Sequence, residues 1–215
     1  MSLILTSFGL MVLAYLLGSL MGGFIVGRLR GGIDLRASGS GNVGATNALR
    51  TQGTAFALAV LLIDIGKGVV AALLLPRLIG GAATPELGYA CGAAAVLGHC
   101  YPLWHRFQGG KGVATVAGVF AALLPATFLW IIAAFVLVVL LTGTVSLATL
   151  SASAVALLQV SCFSSGGLFS AAGAFTAAMA LLLVVKHRAN WARLRAGSEP
   201  RFEKARLLGR ALGLK

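Results

Sequence analysis

Thirteen consecutive residues, Ser38-Gly39-Ser40-Gly41-Asn42-Val43-Gly44-Ala45-Thr46-Asn47-Ala48-Leu49-Arg50, combine glycine with neutral hydrogen-bonding side chains and a closing guanidinium. Gly39, Gly41 and Gly44 let the backbone turn tightly and bring N–H groups close to a ligand. Ser40, Asn42, Thr46 and Asn47 add donors and acceptors, and Arg50 adds a permanent cation with a forked donor face. That inventory suits a bound phosphate. A second cationic glycine loop, Gly109-Gly110-Lys111-Gly112, points the same way. A third polar group opens at Lys186-His187-Arg188-Ala189-Asn190-Trp191. On a helix His187 and Asn190 share a face, and His187 is the side chain best suited to proton transfer near neutrality. His99 and His105, at and just after the end of an apolar segment, read as structural or interfacial histidines.

The elements that must position these groups are membrane helices. The 215 residues are 59% hydrophobic and only 10% charged, whereas a soluble domain carries about 25% charge; mean hydropathy is +0.96. Seventeen Lys or Arg face five Asp or Glu, a net charge of +12. The cations border long apolar runs, so they mark cytoplasmic loops and anionic headgroups, with no nucleic-acid partner implied. Cys91, Cys100 and Cys162 form no CxxC pair and read as lone thiols. Met1 enters an apolar run with no basic segment before it, the pattern of a retained span and not of a cleaved signal.

Apolar runs fall near 3–27, 54–75 and 87–103. The positive-inside rule puts 28–53, 104–111 and the tail from Lys186, with nine Lys or Arg, in the cytoplasm, and the N-terminus outside. From Gly112 to Val185 there is no Asp, Glu, Lys or Arg. With both flanks on one side, the spans between must be even in number. Two would need about 37 residues each, against the roughly 20 that cross a bilayer. Four fit, with turns at Pro125, Thr142-Gly143-Thr144 and Ser164-Ser165-Gly166-Gly167. The expected architecture is therefore a single all-α membrane domain over 1–215, a compact seven-helix transmembrane bundle with its C-terminus in the cytoplasm and a basic tail at about 187–215; five helices is the alternative. This topology puts both glycine loops, the 142–146 turn and the tail on one face. Asp64 and Lys67, three apart on the second span, form either a structural ion pair or part of the polar site.

Several chemistries are excluded by what the chain lacks. There is no GxSxG elbow, no Cys/His pairing and no metal-ligand cluster. His105 stands where a Walker A loop needs glycine. The His-x4-Asp signature of soluble-type glycerolipid acyltransferases is missing, since Trp104, Gly110 and Ala192 follow the three histidines at the fifth position.

The segments GSGNVGATNALR (39–50), GHCYPLW…GGKGVAT (98–115) and HRANWARLRAGSEP (187–200) together resemble the three motifs of the bacterial acyl-phosphate:glycerol-3-phosphate acyltransferase family (PlsY). Gly18-Ser19, Leu61-Leu62-Ile63-Asp64 and Lys67-Gly68 are similar to its helix patterns. The resemblance implies acyl transfer from acyl phosphate to the 1-hydroxyl of glycerol 3-phosphate, giving lysophosphatidic acid and phosphate, at the cytoplasmic side of a bacterial inner membrane. It implies catalytic roles for Ser40, Arg50, Lys111, His187 and Asn190. Asn42, Gly44, Thr46, Asn47, Gly109, Gly110, Gly112 and Ser146 would bind substrate, and Glu199 would tether the tail. No metal or cofactor is implied. The enzyme that produces acyl phosphate and the surrounding lipid are the candidate partners. Gln108, where a basic residue often precedes the glycine pair, and Val43 depart from the family pattern. Acyl phosphate is already activated, so orientation and charge compensation suffice without a covalent acyl-enzyme. The proton acceptor is either His187 or the phosphate of glycerol 3-phosphate. A transporter for a phosphate-containing solute is the alternative reading, and a structural subunit with a lipid-binding tail is a third.

Overall fold

The structure, a computed structural model, describes residues 2–214. Helices are its only regular elements among those residues. They fall into two compact units, Met1–Leu124 and Pro125–Lys215.

The first unit holds α1 (Ser2–Ser19), α2 (Gly22–Leu29), α3 (Ala45–Gln52), α4 (Thr54–Val69), α5 (Pro85–Cys100) and α6 (Val113–Leu123). Between α1 and α2 the chain bends by 46°. Beyond Val69, α4 continues through a π turn at Val70–Leu74 and a 3-10 stretch at Leu75–Ala82. Pro76 explains the change of pitch: it has no N–H to give the Ala72 carbonyl, so the α-helical ladder must re-register there. Thr84 caps α5 by accepting the Leu87 N–H at 3.3 Å, ahead of Pro85 at the first helical position. α1 packs on α5 and α4 on α6. The first contact is close because Gly18 and Gly98 lack a side chain: a Cβ on either would strike the Ala95 or Tyr15 carbonyl of the facing helix. Leu10, Ala14, Ala71, Leu87, Cys91 and Ala95 form the core there. A second core, Val26, Leu35, Ala48, Phe56, Ala57 and Val60, holds the segment leading into the first glycine loop, and α3 after it, against α2 and α4.

The second unit holds α7 (Pro125–Thr142), α8 (Val145–Phe163), α9 (Ala171–Lys186), α10 (Arg188–Arg195) and α11 (Leu207–Ala211). Thr127 on α7 donates to Gln159 on α8, and Ser170 caps α9 through the Gly173 N–H at 3.0 Å. α9 and α10 meet at 59° around His187. Phe202 donates its N–H to the Gly143 carbonyl at 2.8 Å, which ties the tail to the turn between α7 and α8.

Every segment expected to cross is helical, and α6 to α9 account for four helices between Gly112 and Lys186. Their lengths are uneven. Among the described residues, Thr54–Gly80, Pro125–Thr142 and Val145–Phe163 are long and apolar enough to cross alone, and the total rises to five if each bent pair is one span. α5 has 16 residues and α6 only 11; at about 1.5 Å per residue α6 falls well short of a hydrocarbon layer about 30 Å thick. Charge and parity lead to seven segments, but they do not set each segment's reach, and by length and composition the described residues supply three to five crossing helices.

Candidate active site

The first glycine loop is built around Asn47. Its amide nitrogen donates to the carbonyls of Leu35 and Ser38, both at 3.0 Å, and its oxygen accepts the Ser40 N–H at 2.9 Å. Both amide hydrogens are thus committed inside the loop. Gly39, at φ +59°, lies against this side chain, and a Cβ there would collide with it. Ser40 is exposed, while Asn42, Gly44, Thr46 and Arg50 are half-buried. Gly44 precedes α3 in extended conformation and supplies no side chain to its leading N–H groups, which leaves a helix N-terminus suited to an anion. Asn47→Ala would leave the Ser40 N–H without its acceptor and take one donor from each of the Leu35 and Ser38 carbonyls, which keep the Ser38 and Gly41 N–H groups, at about 2 kcal/mol in all; thermal unfolding in detergent should show the loss.

The loop leans on an ion pair just before it. Arg36 donates to Asp34 from its backbone N–H at 2.9 Å and from its side chain at 2.6 to 3.1 Å. The hydrogen bond from the Arg36 side chain does most to hold the Asp34 carboxyl below its ordinary value. The same guanidinium lies 4.8 Å over the Phe24 ring, and Phe24 stacks on His105 at 3.8 Å. Burial, then the Arg36 charge, push His105 below its usual value. His105 is thus a packing histidine, as its position in the sequence indicates.

In the second loop Gly110 donates its N–H to the His99 carbonyl at 3.1 Å, and a Cβ on Gly110 would land on the His99 ring. A Cβ on Gly109 would strike the His99 carbonyl. Gly112 adopts φ +86° and leads directly into α6. Lys111 is half-buried between these glycines.

In the second unit His187 is buried at the α9–α10 break, with Nδ1 2.8 Å from the Leu183 carbonyl. A carbonyl only accepts, so Nδ1 carries hydrogen and Nε2 is the nitrogen that gains or loses a proton. One turn on, Asn190 donates to Glu199 Oε1 at 2.6 Å, and Ser146 donates to the same oxygen at 2.8 Å. Arg193 donates to the other oxygen at 2.7 Å. Burial raises the Glu199 pKa, but the bonds from Asn190, Ser146 and Arg193 more than offset this and leave it below its ordinary value. Residues 53 apart in sequence are joined here, and Arg193 is the member that sequence reasoning did not single out. Its signal was its place three residues after Asn190, on the same helical face.

Asp64 and Lys67 are buried, 2.9 Å apart. Asp64 also accepts the Gly22 N–H at 3.1 Å, and Lys67 donates to the Leu20 carbonyl at 3.1 Å. The structural alternative accounts for them: they close the polar backbone exposed by the α1–α2 break.

Residues 8–197 match the family model described as Glycerol-3-phosphate acyltransferase. The chain belongs to the glycerol-3-phosphate acyltransferase family. It is 45% identical over 192 residues to a Symbiobacterium thermophilum protein of that name, covering 89% of this chain and 92% of the relative. The Geobacter sulfurreducens relative is 41% identical over 194 residues, covering 90% and 96%. A crystal structure of PlsY (YgiH), an integral membrane glycerol 3-phosphate acyltransferase in its glycerol 3-phosphate form, superposes with a TM-score of 0.83 at 36% identity. That comparison covers 94% of this chain and 98% of the other. The lysophosphatidic acid form gives 0.81. The family match takes in all of both glycine loops, His187 and Asn190, and stops two residues before Glu199.

Proposed function

We propose that the chain moves a fatty acyl group from acyl phosphate to the 1-hydroxyl of glycerol 3-phosphate, giving lysophosphatidic acid and inorganic phosphate. The reaction takes place at the cytoplasmic face of a bacterial inner membrane, with the N-terminus outside and the C-terminus inside. The observation that carries this reading is the family match across residues 8–197, which spans two cationic glycine loops and a buried histidine with a defined tautomer. The relatives' names give the acceptor; the donor is inferred from the motifs.

The glycerol oxygen attacks the acyl carbonyl carbon, the carbon–oxygen bond to phosphate breaks, and phosphate departs with that electron pair. A mixed anhydride carries its own leaving group, so neither a covalent acyl-enzyme nor a cofactor is needed. The N–H groups of Gly109 and Gly112, with Lys111, hold the acyl phosphate, and Gly110, whose N–H goes to the His99 carbonyl, shapes the loop around it. Ser40, Asn42, Thr46, Arg50 and the α3 N-terminus at Gly44 hold glycerol 3-phosphate. Asn47 serves them indirectly by fixing the loop, and Ser146 serves by orienting Glu199. The hydroxyl proton goes to the phosphate of glycerol 3-phosphate, with His187 Nε2 and Asn190 binding and orienting that substrate. The acyl tail stays in lipid while its phosphate reaches the loops. Acyl phosphate hydrolyses in water, which makes its producing enzyme the natural partner.

Purified protein in lipid, given acyl phosphate and glycerol 3-phosphate, should form lysophosphatidic acid, and release phosphate above the protein-free background, only when both are present. Protein-dependent release independent of glycerol 3-phosphate, or equal turnover with an acyl thioester donor, would overturn the assignment. His187→Ala should lower kcat/KM about 10²-fold, the worth of a lost hydrogen bond to a charged substrate, yet keep the limb near pH 6 that belongs to the second ionisation of a phosphate monoester. A total loss of activity would instead make His187 the base.

A further inference from the structure

The Asp64–Lys67 pair has a second side. Asp64 Oδ1 lies 3.5 Å from His99 Nδ1, and the same nitrogen lies 3.2 Å from the Thr115 hydroxyl. All four side chains are buried. Two ring-orienting contacts on Nδ1 fix the plane of the imidazole, and a carboxylate facing that nitrogen keeps its proton there. The opposite nitrogen, Nε2, then occupies the space that a Gly110 Cβ would need, while the His99 carbonyl takes the Gly110 N–H at 3.1 Å. His99 therefore meets the second glycine loop twice, once by backbone and once by ring. Thr115 meets the ring from the first turn of α6, at the far end of the same loop.

A buried ion pair alone is weak evidence of a stabilising role, because apolar packing often does as well. Here the pair lies in contact with a ring that forms the floor of a loop. We propose that His99 is a positioning residue: held by Asp64 and Thr115, it fixes Gly109–Gly112 in the conformation that presents Lys111 to the acyl phosphate. The proposal rests on the function assigned above only for the identity of the ligand. The positioning itself can be read without turnover.

The test uses full-length protein in lipid and two variants, His99→Phe, which keeps a ring without nitrogens, and His99→Asn, whose amide nitrogen can stand in for Nδ1. His99→Phe should raise KM for acyl phosphate at least tenfold with KM for glycerol 3-phosphate within twofold, and speed amide exchange of segment 106–113 about tenfold. His99→Asn should recover most of both effects. Equal shifts in both KM values with unchanged exchange would overturn the proposal, as would a Phe variant that behaves like the wild type. Gly110→Ala supplies a coupling readout, since its Cβ meets the His99 ring. Combined with His99→Ala it should be no worse than the poorer single variant, and strictly multiplicative losses would count against a shared contact. If His99→Phe fails to assemble, Thr115→Val decides, with a threefold rise in acyl-phosphate KM expected and no change overturning the idea. Should the wild type not use acyl phosphate at all, the function falls, and the exchange comparison alone still decides the positioning.

Discussion

Replacing Lys111 with alanine will lower kcat/KM by about 10³-fold, and Arg50→Ala will do the same to within an order of magnitude. Both expectations follow from the charge on the proposed substrates. Acyl phosphate and glycerol 3-phosphate are anions that must approach closely enough for a hydroxyl to attack a carbonyl beside one of the phosphates. Neutral N–H groups can hold the oxygens, yet they do not cancel the net repulsion. One fixed donor aimed at developing charge is commonly worth about 10² to 10³-fold in rate, and a charge-assisted bond contributes about 1.5–3 kcal/mol. Lys111 stands among the glycines Gly109, Gly110 and Gly112, and Arg50 lies in the last turn of α3, whose N-terminus opens from the first loop. Arg50→Lys keeps the charge but loses the forked donor geometry, so it should recover activity only in part. Steady-state kinetics on acyl phosphate and glycerol 3-phosphate at fixed ionic strength measure all three. Near wild-type values for either alanine variant would remove that residue from the site.

How much of this was legible in the sequence differs from group to group. The segments 38–50 and 109–112 stand out through glycine, amide and cation, the residue types that binding an anion through backbone N–H groups would call for, and the chain is irregular at 38–44 and 109–112 while 45–50 forms the start of α3. The breaks at Pro125, Gly143 and Ser164–Gly167 fall where the turn chemistry puts them. The role of Asn47 was not legible: an asparagine in a phosphate-type loop reads as a ligand until its amide hydrogens are seen bonded to Leu35 and Ser38. Nor was the link from Asp64 to His99, since α4 and α5 are separate in sequence and nothing in either segment encodes their mutual rotation. The shortness of α6 was hidden as well, for an uncharged run of 74 residues from Gly112 to Val185 reveals its turns but not how its length is shared. Arg106 and Phe107 adopt φ of +53° and +59° without being glycine. Their conformation goes with the Phe107 N–H bond to the Pro102 carbonyl at 3.0 Å, a local loop closure that composition does not signal.

Glu199→Ala is the variant expected to damage the second unit most, lowering kcat/KM at least 10³-fold and stability by about 3 kcal/mol. Its side chain is only 6% exposed and takes three donors, from Ser146, Asn190 and Arg193. Alanine would leave all three facing a void, one of them a guanidinium, and would free Asn190 from the geometry that sets it one turn beyond His187. Glutamine separates charge from shape. It fills the same volume but presents an amide N–H₂ where an oxygen accepted, so one existing donor must turn away. The pH dependence carries a definite sign. Because the folded-state pKa of Glu199 is depressed, its contribution is present above the ordinary glutamate range and is lost as pH falls from there through the lower folded value. Thermal unfolding of wild type and Glu199→Gln in detergent should therefore differ at pH 7 and converge as pH falls below the ordinary glutamate range. A constant difference across that interval would mean that the carboxylate is held for its shape alone, and that Asn190 is positioned by something other than its charge.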